Sequence, residues 1–334
     1  MQRKTILWIS LIILSVILAL ADIFIGSVNI PFRDTLGYFS GQSIPEGFKT
    51  IITEFRIPKM LTAIFAGIAL SVSGLQMQTV FKNPLAGPYV LGISAGAGLG
   101  VSLLMMSPLL AMVGGGSISG WLTVLFAWLG AGAVLVIIFG VSVRIKNIMT
   151  VLIIGVLISS AISSVINILQ YFSEQSQLKS FVVWSMGSLS GITREQMVIF
   201  LVPIVLGLFI AYISSGYLNL YLLGENYALT SGMNLAKTRF LIFLSTGLLT
   251  GTVTAFCGPI GFIGIIVPHL ARMLFKTSNH KLLIPASALI GACFLSAADL
   301  ISMLPGLGGT LPVNSVTALL GIPVVIKIVL NTRM

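Results

Sequence analysis

Charge is scarce in this chain. Charged residues make up 8% of its 334 residues, apolar residues make up 57%, and mean hydropathy is +1.09. A soluble domain carries about a quarter charged residues, so this composition excludes one. Cysteine and histidine are nearly missing, at 2 each. Cys257 and Cys293 lie far apart in apolar segments and read as packed thiols. They form no metal-ligand cluster with His269 or His280, so no metal site is expected. No Gly-x-x-x-x-Gly-Lys-Ser/Thr loop occurs, which excludes the usual ATP cradle. No nucleophile–base pair marks a catalytic residue. Asp22 and Asp299 sit near the ends of apolar runs and read as boundary residues that water reaches. An acidic relay in mid-membrane, of the kind that drives ion-coupled carriers, is also missing.

What is present in quantity is long apolar sequence. A bilayer-spanning helix needs about 20 mostly apolar residues. Such runs occur at Ile6–Ile25, Pro58–Val80, Tyr89–Met106, Ile118–Val143, Ile148–Tyr171, Met197–Ser215, Phe240–Phe256, Ile260–Leu274, Leu282–Ile301 and Leu311–Leu330. These give about ten transmembrane helices, some short or broken, in an all-α polytopic membrane protein. The alternating strands of a membrane β-barrel do not appear. No polar stretch is long enough for a soluble domain, so residues 1–334 read as a single transmembrane domain. Ala19-Leu20-Ala21 imitates a signal cleavage site, but the apolar run continues through Ile25 and reads as a retained span.

The few charges set an orientation. With Arg3 and Lys4 inside, the inner side also carries Lys82, Arg144, Lys146, Lys237, Arg239, Arg272, Lys276, Lys281, Lys327 and Arg333. The outer side carries Arg33, Lys49, Arg56, Lys59, Lys179 and Arg194. This is a positive-inside distribution with both termini cytoplasmic. It accounts for the net charge of +10, so nucleic acid is not an expected partner.

Two segments carry the functional signal. In the first, an apolar helix ends at Phe81-Lys82-Asn83-Pro84-Leu85-Ala86-Gly87-Pro88, and a glycine-packed segment begins at Leu91-Gly92. The second is the inner loop at about 216–239, which contains Leu222-Leu223-Gly224-Glu225. There Glu225 and Asn226 are expected to cap a short helix through Ser231. Gly232 and Asn234 suit a left-handed stop before the next span. A faint internal symmetry relates Pro58–Gly92 to Phe240–Leu274. Each is an apolar helix, a Gly/Pro break and a second helix, in opposite orientation, as in many transporters.

These strings resemble the FecCD/BtuC-like family, the permease subunits of iron-siderophore, heme and corrinoid ABC importers. Further matches follow in family order. They are Trp184-Ser185-Met186-Gly187-Ser188, Gly258-Pro259-Ile260-Gly261-Phe262 through Pro268-His269 and Arg272, Pro285 with Ala298-Asp299, Leu311-Pro312-Val313, and Gly321 with Pro323. The chain departs at Met303, where the family often has arginine, and at Thr310, where glutamate is common.

The resemblance implies the type II importer permease fold and a transport subunit of the bacterial inner membrane with no ATP site or bound cofactor of its own. It implies a second copy of the chain, two cytoplasmic ATPases that use the ATP, and an extracytoplasmic binding protein as partners, besides membrane lipid. The cargo is expected to be a metal chelate, with a ferric siderophore preferred over heme or a corrinoid. A secondary active transporter is the alternative.

The resemblance places ATPase coupling at Gly224, Glu225, Ala228, Gly232 and Met233. It places binding-protein docking at Arg56 and Lys59, whose bland alternative is snorkelling at the interface. Ser160, Ser164 and Asn167 share one helix face by their spacing. They are either interhelical hydrogen-bond glue or, as the resemblance favours, a water-facing pathway wall, with Asn314 facing the same space.

Overall fold

The computed structural model describes residues 2–26, 28–107, 120–145, 147–303 and 310–331. The expected Lys146, Arg333 and start of the fourth run at Ile118 lie outside them. Among the described residues all regular structure is helical. The helices are α1 (Gln2–Phe24), α2 (Phe32–Phe39), α3 (Glu46–Thr50), α4 (Ile57–Val80), α5 (Ile93–Met106), α6 (Gly120–Arg144), α7 (Ile148–Phe172), α8 (Gln175–Ser185), α9 (Arg194–Ile213), α10 (Ser215–Leu223), α11 (Glu225–Thr230), α12 (Leu235–Cys257), α13 (Ile263–Phe275), α14 (His280–Ser302) and α15 (Val313–Asn331). Each of the expected spans has its helix. Seven helical stretches among the described residues are long and apolar enough to cross a membrane, and α5, α13 and α15 are shorter apolar helices. A wide π-turn over Ile51–Arg56 joins α3 to α4 without a break.

The core is built on α4, α12 and α14. Their apolar windows are 72%, 72% and 61% buried, against 11% for α1 and 17% for α7. α4 packs on α14, α13, α12 and α9, so it runs through the centre. No hydrophobic effect separates helix from lipid, so close van der Waals approach must hold such helices together. Glycine supplies it. A Cβ on Gly74 would stand 2.0 Å from the Gly264 carbonyl oxygen, and one on Gly67 would stand 2.2 Å from that of Gly291. Gly96 and Gly130 bring α5 onto α6 in the same way. Side-chain caps close several helix starts: Asn147 accepts from Met149 N, Asn234 from Lys237 N and Asn279 from Lys281 N. Thr193 and Gln196 form a capping box on α9. Such caps contribute about 1 kcal/mol each.

One end of the bundle carries Lys82, Arg239 and the α10–α11 loop. The other carries the start of α4. There the structure corrects two expectations. Asp22 and Asp299, expected to meet water, are each 2% exposed. Lys59, from α4, stands between them, with Nζ 2.7 Å from Asp299 Oδ2 and 3.9 Å from Asp22 Oδ1, and it also donates to Met303 Sδ. Arg56 is buried as well. Its guanidinium donates to the carbonyls of Ile23 (2.6 Å), Phe24 (3.1 Å) and Val28 (2.6 Å). It therefore terminates α1, where orphan carbonyls and the negative end of the helix dipole favour a cation. Arg56 and Lys59, expected on a docking face, instead tie α1 to α4 and α14. The reason is tertiary: α1 supplies carbonyls and a carboxylate that linear sequence does not place beside them.

Two outcomes follow. Gly74→Ala forces backbones apart and should reduce thermal stability in detergent, since overpacking a core costs about 1–3 kcal/mol. Gly132→Ala, which meets nothing within 4 Å, should leave it unchanged. Lys59→Met should be more severe, because removing one partner of a buried ion pair costs about 3–5 kcal/mol. The neutral triple variant Asp22→Asn, Lys59→Met, Asp299→Asn should recover most of the loss. A melting curve by fluorescence-detected gel filtration reads both. Equal stability of Lys59→Met and wild type would refute the ionic tie.

Candidate coupling and translocation site

The two Gly/Pro breaks singled out in the sequence meet in space. One runs from Phe81 to Gly92 and holds a 3₁₀ turn at Pro88–Leu91. The other is Gly258–Phe262, between α12 and α13. The Tyr89 hydroxyl donates to the Ile260 carbonyl and accepts from the Ile260 amide, both at 2.9 Å. Gly264 lies against the Pro88 ring. Gln78 Nε2 donates to the Ile265 carbonyl at 2.9 Å, and Arg272 donates to Gln78 Oε1 at 2.6 Å. Unwound backbone is tolerated in a membrane domain where protein groups satisfy it or a water-filled cavity receives it. Here protein groups satisfy it, and a cavity of about 570 Å³ opens beside the joined breaks. Leu85, Tyr89, Ser159, Ser160, Ser163, Phe262 and Ile265 are among its lining residues, and among the described residues none that lines it is charged.

The serine stripe of α7 meets this cavity at Ser160. Ser160 lines it, and Ser164 and Asn167 are exposed on the same helix face. Ser160 and Ser164 donate to the carbonyls of Val156 and Ser160, each at 3.0 Å and each within their own helix. Those hydroxyls are therefore satisfied locally and do not bridge to a neighbouring helix. Asn314 differs. Its Oδ1 accepts from the Gly261 amide at 2.9 Å and so fixes the second break.

At the opposite end, α10, α11 and the start of α12 fold the expected coupling loop. Gly224 (φ +113) starts α11 in a conformation that suits glycine, and Gly232 (φ +82) ends it. Glu225 begins α11 and does not cap it, and Asn234 is an extended N-cap of α12 with no left-handed turn. Ala228 is fully buried and Met233 nearly so, whereas Gly232 is exposed. The inward pair anchors the loop. Tyr227 and Leu229 present the exposed apolar surface, at 54% and 50%.

Arg239 bolts this loop to the bundle. It donates to Glu225 Oε1 at 3.1 Å and to the Ile145 and Ser142 carbonyls at 3.0 and 3.4 Å. It thus joins α11, α12 and the end of α6. Tyr221 lies buried beside it, and burial pushes the phenol up from its ordinary pKa while Arg239 draws it back.

Sequence reasoning missed Tyr89, Phe262, Tyr227, Leu229 and Arg239. The first two sit inside break motifs already singled out. Arg239, a buried cation near the start of an apolar helix, is the kind of residue that needs a partner.

Comparison with known proteins agrees with this geometry. A model of the FecCD transport family matches residues 11–331. The hemin transport system permease protein HmuU of Yersinia pestis is 34% identical over 97% of this chain and 95% of its own length. The vitamin B12 import system permease protein BtuC of Citrobacter koseri is 33% identical over 99% of this chain and 96% of its own. A solved structure described as an inward-facing conformation of a metal-chelate type ABC transporter superposes with a TM-score of 0.84 at 30% identity, covering 99% of this chain and 100% of that one. PsaBC from Streptococcus pneumoniae, at 18% identity and a TM-score of 0.54, shares the fold alone. On the family match over residues 11–331 and these relatives, the chain belongs to the FecCD transport family, and it is a membrane permease subunit of the ABC-importer type.

Proposed function

We propose that this chain carries a metal chelate inward across the bacterial inner membrane as one of two identical permease subunits. The carrying observation is the cavity of about 570 Å³ lined without charge and edged by the α7 serines. Uncharged walls let a bulky chelate pass without being held tightly. The relatives named for hemin and vitamin B12 support the cargo class, and a ferric siderophore is the first cargo to test, with hemin and a corrinoid beside it. Two separate ATPases supply the energy by using ATP, and an extracytoplasmic binding protein delivers the chelate. α1 begins and α15 ends at the basic end that holds Lys82 and Arg239, which supports cytoplasmic termini. The exposed face of α11, with Gly224 and Gly232 at its turns, is the ATPase contact. Glu225 transmits its displacement to α6 and α12 through Arg239, and Ala228 and Met233 keep the loop seated.

Two measurements test this reading. Tyr227→Arg and Leu229→Arg should uncouple ATP hydrolysis from uptake in proteoliposomes without loss of folded permease. Hot-spot contacts are worth about 1–4 kcal/mol, so ATPase affinity should fall roughly tenfold or more. Normal coupling in both variants would remove α11 from the interface. Ala228→Arg should instead lower the yield of folded protein, because its site is closed.

For the pathway, cysteines at Ser160, Ser164 and Asn167, in a background lacking Cys257 and Cys293, should react with a water-soluble thiol reagent. Their rates should change when the ATPase is trapped with nucleotide. If all three stay inert while a cysteine at Lys49 labels, the stripe does not face the pathway.

A further inference from the structure

Phe262 has a backbone that a phenylalanine rarely adopts. Its φ is +67° and ψ −36°, and the Ile263 amide donates back to the Gly261 carbonyl at 2.8 Å. That is a γ-turn of the strained, positive-φ kind, with a bulky residue at its centre. Glycine would take this conformation without strain, and glycine already stands at 258, 261 and 264 in the same segment. The turn persists because its surroundings over-determine it. Tyr89 holds both polar groups of Ile260, and Asn314 holds the Gly261 amide. The Ser188 amide holds the Cys257 carbonyl at 2.8 Å. On its far side Phe262 abuts Gly321 of α15, where a Cβ would come within 3.0 Å of the Phe262 Cβ. Strain kept in place by several independent contacts points to a use for the residue that bears it.

That use follows from where the residue stands. Phe262 is half-buried and lines the uncharged cavity, together with the α7 residues Ser159, Ser160 and Ser163. Tyr89, the other aromatic residue of that lining, has its hydroxyl committed to Ile260. The Phe262 ring carries no polar group, so packing and the turn beneath it set its position. We propose that Phe262 is the aperture residue of this permease: its ring narrows the pathway, and Tyr89 and Asn314 are the positioning residues that hold the ring there. The inference rests on the cavity being the route, as argued above. An apolar constriction of this kind blocks small solutes by bulk and by excluding water.

The test uses the full chain, co-purified with its ATPase, in proteoliposomes loaded with carboxyfluorescein. Phe262→Gly removes the ring and relieves the strained φ together. It should keep or raise thermal stability while increasing passive dye release several-fold. Tyr89→Phe keeps the ring but frees Ile260, and should give a smaller rise. Phe262→Trp should leave dye release low and slow the ATP-driven uptake of ferrichrome, hemin or cyanocobalamin, whichever the wild type carries. Should Phe262→Gly fail to fold, Tyr89→Phe and Phe262→Trp decide the matter by the same two readouts.

Unchanged dye release and uptake in the folded variants would overturn the aperture. Lower stability with no leak would do so too, since it would make Phe262 a packing residue. A parallel Ser160→Cys sample separates the two levels of inference. Block of wild-type-like uptake by its thiol modification upholds the route even where the aperture fails. Uptake indifferent to that modification removes the route, and the aperture falls with it.

Discussion

Backbone-to-backbone contact at Gly74 and Gly264 is the constraint on which the rest of the structure depends. α4 can approach α13 this closely because neither residue has a side chain at the crossing. That approach brings Gln78 within reach of the Ile265 carbonyl and Arg272, and it sets Pro88 on Gly264. With the start of α13 held there, the Gly258–Phe262 break faces the Phe81–Gly92 break, and Tyr89 can bond both sides of Ile260. In a solvent without hydrogen-bond donors, two interrupted helices are stable when each satisfies the other. The cavity is the space that these breaks and α7 leave between them.

The two ends of the bundle use ionic contacts for different purposes. At one end, Arg56 and Lys59 are internal ties. Arg56 closes the carbonyl end of α1, and Lys59 sits between two carboxylates from α1 and α14. A buried cluster of this kind adds little net stability over an apolar replacement, but it fixes which helices meet. At the other end, the Arg239–Glu225 pair joins a surface loop to two membrane helices and remains partly exposed, with Glu225 at 26%. The first arrangement is closed and holds α1 in register. The second lies at a surface and ties α11 to α6 and α12.

Much of this protein was legible in its composition and motifs. Apolar runs of bilayer length, with 8% charge overall, leave an all-helical membrane domain as the solution, because lipid accepts no unpaired backbone. The short helix ending before Gly232 was readable for a similarly local reason, since a glycine that permits positive φ stops it, but its start was placed on Glu225 and Asn226 where Gly224 begins it. The serine stripe was readable as a face because helix periodicity alone puts Ser160, Ser164 and Asn167 together.

The surroundings of Arg56, Lys59, Asp22, Asp299, Asn314 and Phe262 were not legible, and the reason is common to all of them. Each depends on a partner far away in sequence. Arg56 meets carbonyls of α1, Lys59 meets α14, Asn314 meets Gly261, and Phe262 meets a turn fixed from three other segments. A charge near the end of an apolar run looks the same in sequence whether water or a buried carboxylate receives it. By itself the sequence determined the solvent, the helices, their breaks and the family, since those follow from local chemistry and hydropathy. Tertiary structure alone decided which charges are inside, which face of the loop carrying α11 is free and which side chains border the cavity, because burial and partner choice are set by packing between distant segments.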